Sequence, residues 1–195
     1  MADRFNAAID QKAGRRYEYA AALFYYTGAD GYSLITRSLK YNGNLESGRF
    51  FGRLLGERIA SSALFADASV IVPVPLHWTR RWKRGYNQAE VIAASVASAS
   101  ASCGLTLYVD GKSLKRIRRT KTQTRLAVAD KKANVCRAFA VHRASAALRG
   151  ASHVILLDDV FTTGSTLAAC YEALRSVLGE KVRISVITLG FVGHQ

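Results

Sequence analysis

Val154-Ile155-Leu156-Leu157-Asp158-Asp159-Val160-Phe161-Thr162-Thr163-Gly164-Ser165-Thr166-Leu167 decides the fold of this chain. Its four leading apolar residues predict a buried strand. Two carboxylates follow at once, then hydroxyls around a glycine, then a helical pattern over 167–178. A strand, a tight loop and a helix N-terminus in that order make an anion cradle. Loop N–H groups and the positive end of the helix dipole can hold a phosphate, and Gly164 lets the backbone approach it. The hydroxyls of Thr162, Thr163, Ser165 and Thr166 add donors without adding charge. With no base in view for them, Ser165 and Thr166 are phosphate donors rather than nucleophiles. The paired acids stand at the carboxyl end of the strand, where open α/β sheets bind ligands. Beside a phosphate they would repel it unless they grip something else, and vicinal ribose hydroxyls donate well to carboxylate oxygens. The residues therefore predict a ribose 5-phosphate site. The plainer reading of the same string is a buried strand whose acids cap the following helix.

Positions 154–166 resemble the phosphoribosyl-pyrophosphate (PRPP) motif of type I phosphoribosyltransferases: four apolar residues, an acidic pair, then a loop containing Thr-Thr-Gly. Phe161 stands where an aliphatic residue is more usual.

Composition narrows the class. The 195 residues predict one domain with a core large enough to need no disulfides. A hydrophobic share of 49% fits a globular chain. No apolar run is long enough to span a membrane, and the polar start has no apolar core of a secretory signal, so neither insertion nor export is expected. Cys103, Cys136 and Cys170 are far apart and form no Cys-x-x-Cys pair, which predicts a reducing, cytoplasmic setting and no zinc. The net charge of +14 favours a polyanionic partner, either a pyrophosphate-bearing metabolite or nucleic acid. Fifteen of the 28 basic residues fall within 80–84 and 112–143, so that charge is focused.

Along the chain, residues 1–16 read as a flexible arm and 17–195 as a single domain. Tyr17–Tyr26 predicts a strand. Leu34, Ile35 and Leu39 mark one helix; Phe50, Phe51, Leu54, Leu55 and Ile59 mark the buried face of a second. Ser69–Pro75 predicts a short strand that its two prolines end, and 88–102 a helix with Val91, Ile92 and Val96 inward. Leu105–Val109 and Leu114–Arg116 are β-like, Leu126–Ala133 predicts a short helix, Cys136–Val141 a strand and Lys181–Leu189 the last strand. Residues 116–125 have no core-forming periodicity and read as a mobile basic loop. Strands alternating with helices predict an α/β fold with a mostly parallel central sheet flanked by helices; the PRPP motif implies the type I phosphoribosyltransferase-like form of it. His77, His142, His153 and His194 are scattered without a partner at metal or triad spacing.

The second informative stretch is 72–90, Val-Pro-Val-Pro-Leu-His-Trp-Thr-Arg-Arg-Trp-Lys-Arg-Gly-Tyr-Asn-Gln-Ala-Glu. It also resembles the ComF family of competence-associated phosphoribosyltransferase-like proteins, through Pro73-Val-Pro-Leu76, the basic and tryptophan residues, and Gly85-Tyr-Asn-Gln-Ala-Glu90. Leu39-Lys40-Tyr41-x-Gly43 and Arg118-Arg119-Thr120-x-Thr122-Gln123-Thr124 carry the same resemblance. The family commonly begins with a four-cysteine zinc module, whereas no cysteine precedes Cys103 here.

The resemblance implies PRPP as ligand, with Mg2+ held largely by the ligand's own oxygens. Asp158 and Asp159 would be the catalytic pair on the ribose hydroxyls, and Thr162, Thr163, Gly164, Ser165 and Thr166 the 5-phosphate loop. Arg80, Arg81, Lys83 and Arg84 would face pyrophosphate. Arg118, Arg119, Thr120 and Gln123 would belong to a mobile lid. Two functions stay open. One is a phosphoribosyltransferase passing the 5-phosphoribosyl group to an unidentified acceptor with release of pyrophosphate. The other is a non-catalytic PRPP-sensing protein that binds single-stranded DNA and serves the DNA-uptake machinery in natural transformation, with Trp78, Trp82 and Tyr86 as stacking groups among the cations.

Overall fold

The computed structural model describes residues 17–27, 45–76, 85–117 and 138–193. Within them a five-stranded sheet runs in the order β1 (Ala20–Thr27), β7 (Arg183–Gly193), β6 (His153–Phe161), β2 (Val70–Pro73), β3 (Tyr108–Val109). Every neighbouring pair in it is parallel. A separate antiparallel ribbon joins β4 (Leu114–Arg116) to β5 (Phe139–Val141). Helices α1 (Leu45–Ala60) and α2 (Gln88–Ser102) cover one face of the sheet, and α3 (Ala146–Gly150) and α4 (Ser165–Leu178) cover the other. The expected α/β architecture with a parallel sheet between helices is therefore present, and it is compatible with a phosphoribosyltransferase-like arrangement.

Alternation along β6 explains the two-faced core. Val154 and Leu156 pack with Leu167, Cys170 and Leu174 of α4, while Ile155 and Leu157 pack with Ile92 and Val96 of α2. All four are 0% exposed. A strand apolar on both faces can only sit mid-sheet under helices on both sides.

Helix α1 departs from the expected pattern. Its buried residues are Gly48, Gly52, Leu55, Gly56 and Ile59, whereas Phe50 is 50% and Leu54 38% exposed. The glycines recur every fourth position and bring α1 close against α2. A methyl added at Gly56 would stand 2.6 Å from the Val96 carbonyl oxygen, and one at Gly52 would stand 2.8 Å from Ser95 Cβ. The reading that placed Phe50 and Leu54 inward gave weight to side-chain size; backbone proximity set the face instead. On α2 the inward positions are Ala89, Ile92, Ala93 and Val96, with Val91 only half-buried, because small residues are what a close neighbour tolerates.

Other boundaries shift. Strand β2 lies between β6 and β3 and ends at Pro73, so a proline closes a central strand and Pro75 falls beyond it. Strands β6 and β7 run on to Phe161 and Gly193, past the apolar runs that marked them, and α4 starts at Ser165 rather than Leu167. Helix α3 was not foreseen; the Ser145 hydroxyl caps it by accepting from the Leu148 N–H at 3.1 Å. The helices expected around Leu34–Leu39 and Leu126–Ala133, and the arm 1–16, lie outside the described residues.

Candidate phosphoribosyl site

Two crossovers fix the place of the site. Strand β2 leads through α2 to its neighbour β3, and β6 leads through α4 to its neighbour β7. Since β2 and β6 are themselves neighbours, the connections leave in opposite directions and over opposite faces. Outside the carboxyl ends of two such strands the sheet opens a crevice, where α/β proteins hold ligands.

Asp158 and Asp159 lie at that crevice. The last residue of β2 to pair with β6 is Pro73, opposite Leu157, and the Val74 N–H still donates to the Leu157 carbonyl at 2.8 Å. Beyond that point β6 pairs with β7 alone, through Asp158–Thr188, Val160–Gly190 and Phe161–Phe191. The acids thus occupy an edge that β2 has left. There the Asp159 N–H donates to Asp158 Oδ1 at 2.9 Å, and the Val160 N–H donates to Asp159 Oδ1 at 2.8 Å. Both side chains are half-buried, open enough to meet a ligand.

The loop that follows has the cradle geometry. Gly164, buried, takes φ +71° ahead of α4, a conformation that costs a glycine little and other residues more. Gly164 at the N-cap position has no side chain to cap the helix, and Thr163 Oγ1 accepts from the Ser165 N–H only at 3.5 Å. Thr163 Oγ1 and Ser165 Oγ lie 3.1 Å apart, with Thr163 exposed and Thr162, Ser165 and Thr166 half-buried. The loop therefore presents hydroxyls and an uncapped fourteen-residue helix to solvent beside the acids.

Arg80, Arg81, Lys83 and Arg84, with Trp78 and Trp82, lie outside the described residues, as do Arg118, Arg119, Thr120 and Gln123. The anchors of both segments are described. The first segment leaves at Val74–Leu76 and returns at Gly85, which has φ +77°. Asn87, 3% exposed, ties its two ends together: Nδ2 donates to the Val74 carbonyl at 3.1 Å, and Oδ1 accepts from the Ala89 N–H at 3.2 Å as the cap of α2. The second segment leaves and returns through the β4–β5 ribbon, where Arg116 pairs with Phe139 and the Ile117 N–H donates to Ala138 O at 2.8 Å. The Arg116 guanidinium lies 5.2 Å from the Phe139 ring centroid.

Cys170 reports what lies around the root of the site. Burial pushes its thiol far up, the Asp158 carboxylate pushes it further, and Arg116 opposes them. Asp158 and Arg116 therefore both act on one buried sulfur on α4.

His153 has partners that spacing along the sequence does not reveal. Its Nδ1 is 2.9 Å from Asp67 Oδ1 and its Nε2 is 2.7 Å from Ser185 Oγ, and Ser185 Oγ accepts from the Tyr19 N–H at 3.2 Å. Asp67 is also ion-paired with Arg183. The order Asp–His–Ser looks like a hydrolytic triad, but His153 and Ser185 are 0% exposed and sit at the amino ends of β6 and β7, away from the crevice. With the ring neutral, Nδ1–H can donate to Asp67 while Nε2 accepts from the Ser185 hydroxyl. Burial holds the imidazole below its usual pKa, with Glu18 opposing. It is a structural tie between strands. Among the described residues no group of His, Cys, Asp and Glu could hold a metal ion, and no helix is long and apolar enough to cross a membrane.

No protein-family model matches the chain. Curated relatives do. "Competence protein F" of Haemophilus influenzae is 37% identical over 116 residues, 58% of this chain and 47% of that protein. "DNA utilization protein YhgH" of Salmonella typhimurium is 31% identical over 145 residues, 73% of this chain and 60% of that protein. The protein of the same name from Escherichia coli K12 is 36% identical over 104 residues, 53% of this chain and 42% of that protein. The chain spans about half the length of these relatives, between 42% and 60%. With a parallel α/β sheet under the PRPP-like string and with these relatives, the chain belongs to the ComF family.

Proposed function

We propose that the chain is an accessory protein of DNA uptake or utilisation that binds a 5-phosphoribosyl ligand, PRPP with Mg2+, at the crevice between β2 and β6. One observation carries the ligand reading: β6 runs Asp158 and Asp159 directly into the 162–166 turn and the uncapped start of α4. In this reading the N–H groups of the first turn and the hydroxyls of Thr162, Thr163, Ser165 and Thr166 hold the 5-phosphate, and the carboxylates accept from the ribose hydroxyls. Mg2+ suits oxygen ligands and keeps several waters, so the pyrophosphate oxygens would carry it to the site, with Asp158 and Asp159 as additional oxygen donors. The names of the relatives, competence and DNA utilisation, support the cellular role, and the net charge of +14 supports a polyanionic partner such as single-stranded DNA.

A second reading is favoured by the acids and the cradle being contiguous. A nitrogen nucleophile attacks the anomeric carbon while pyrophosphate leaves, the protein orienting the sugar and stabilising the departing charge.

Calorimetric titration of PRPP with Mg2+ into the wild type and into the Asp158→Asn/Asp159→Asn variant tests the site. Saturable one-site binding that falls at least roughly tenfold in the variant is expected, since each lost charged hydrogen bond costs about 1.5–3 kcal/mol. A folded wild type that ignores PRPP refutes the site. Pyrophosphate release in a screen of nucleobases and amines would establish the second reading. DNA binding that weakens steeply with salt and is indifferent to PRPP would leave the DNA role without the ligand.

A further inference from the structure

Thr188 stands in β7 directly across from Asp158 of β6. It is 0% exposed, and its hydroxyl has no hydrogen-bond partner among the described residues. Paired positions of these two strands share a face. Two positions back, Leu156 and Val186 both belong to the core under α4; one position back, Leu157 and Ile187 both belong to the core under α2. Alternation therefore turns Thr188 and Asp158 toward α4, where the Cys170 thiol feels the Asp158 charge. A buried hydroxyl without a partner is a standing penalty that a valine of the same shape would avoid, so its presence asks for a state in which it is satisfied.

We propose that Thr188 is a positioning residue for Asp158, an inference that rests on the ribose-phosphate reading of the site. With ligand bound, the Thr188 hydroxyl donates to the Asp158 carboxylate and fixes the rotamer that accepts from the ribose hydroxyls. A hydrogen bond to an ionised carboxylate is among the stronger ones, and this one would form in the bound state only. The unliganded protein carries the penalty, and ligand binding relieves it.

Thr188→Val and Thr188→Ser separate this role from a packing role. Each is compared with the wild type by thermal melting without ligand and by calorimetric titration with PRPP and Mg2+ and with ribose 5-phosphate. Thr188→Val is expected to melt roughly 2–6 °C higher, because the unpaired hydroxyl is gone, yet to bind both ligands roughly ten- to a hundredfold more weakly. Thr188→Ser, which keeps the donor, is expected to bind within about threefold of wild type. Wild-type affinity in Thr188→Val overturns the proposal while leaving the ribose-phosphate site standing. So does an affinity loss that Thr188→Ser shares in full, which would make Thr188 a packing residue. A wild type that binds neither ligand overturns the site, and the role of Thr188 falls with it.

Discussion

Asn87→Ala tests how the mouth of the site is built. The Asn87 side chain makes two bonds with different functions: Oδ1 caps α2 through the Ala89 N–H, and Nδ2 satisfies the carbonyl of Val74, where the chain leaves β2. Alanine removes both. Losing an N-cap costs about 1 kcal/mol, and leaving a buried carbonyl without its donor costs about 1–3 kcal/mol, so the expected destabilisation is about 2–4 kcal/mol. At 3% exposure little water can replace the lost donor, which places the cost in the upper part of that range. Urea unfolding followed by circular dichroism measures it, with an unchanged m-value required for the comparison. Asn87→Ser resolves the two terms: the hydroxyl keeps the cap but is too short for Val74 O, so it should recover only the cap's share. If Asn87→Ala loses less than about 1 kcal/mol, or if Asn87→Ser restores full stability, the tie to Val74 contributes nothing and the two ends of the segment are held by other means.

Two further perturbations probe the scaffold. Gly56→Ala places a methyl 2.6 Å from the Val96 carbonyl, so α1 must move off α2; a loss of about 1–3 kcal/mol in urea unfolding is expected even though alanine is the better helix former. His153 is held below its usual pKa, so the unfolded chain takes up its proton first as the pH falls. Stability that is complete above the unfolded pKa of about 6.5 should then decline on acidification toward the folded pKa, and His153→Phe should flatten that slope in melts run from pH 7.5 to 5. An unchanged slope would show that another group titrates.

The sequence carries some of these features plainly and hides others for physical reasons. Four fully buried residues before two acids could only be a central strand, and the hydroxyl-glycine string could only be a turn into a helix, because both signals lie within consecutive positions. Asn87, by contrast, is visible as a helix cap but not as a tie to Val74, a contact 13 residues away. The Asp67–His153–Ser185 line joins residues 86 and 32 positions apart, and no spacing along the chain encodes it. Helix α1 misleads in a different way. Its aromatic residues match an amphipathic face, yet the glycines at 48, 52 and 56 set the buried side. Their four-residue period is legible, but only to a reading that weighs how near a neighbour must come rather than how much apolar surface is offered.

The acidic pair constrains any ligand at the crevice. A chain with net charge +14 places two adjacent carboxylates at its switch point, just past the last residue of β2 that pairs with β6. Residues 77–84 are rooted at Val74, which is bonded to the carbonyl of the residue just before Asp158. Residues 118–137 are rooted beyond Arg116, which shares the Cys170 environment with Asp158. Under the proposed function, the ligand would meet one of two conditions: hydroxyls and phosphates in one molecule, or phosphates that bring a cation with them. A phosphorylated ribose bearing a second phosphate group meets the first condition through its covalent structure. Under the proposed function, a strand of DNA differs from that ligand in having no ribose 2′-hydroxyl to offer the acids.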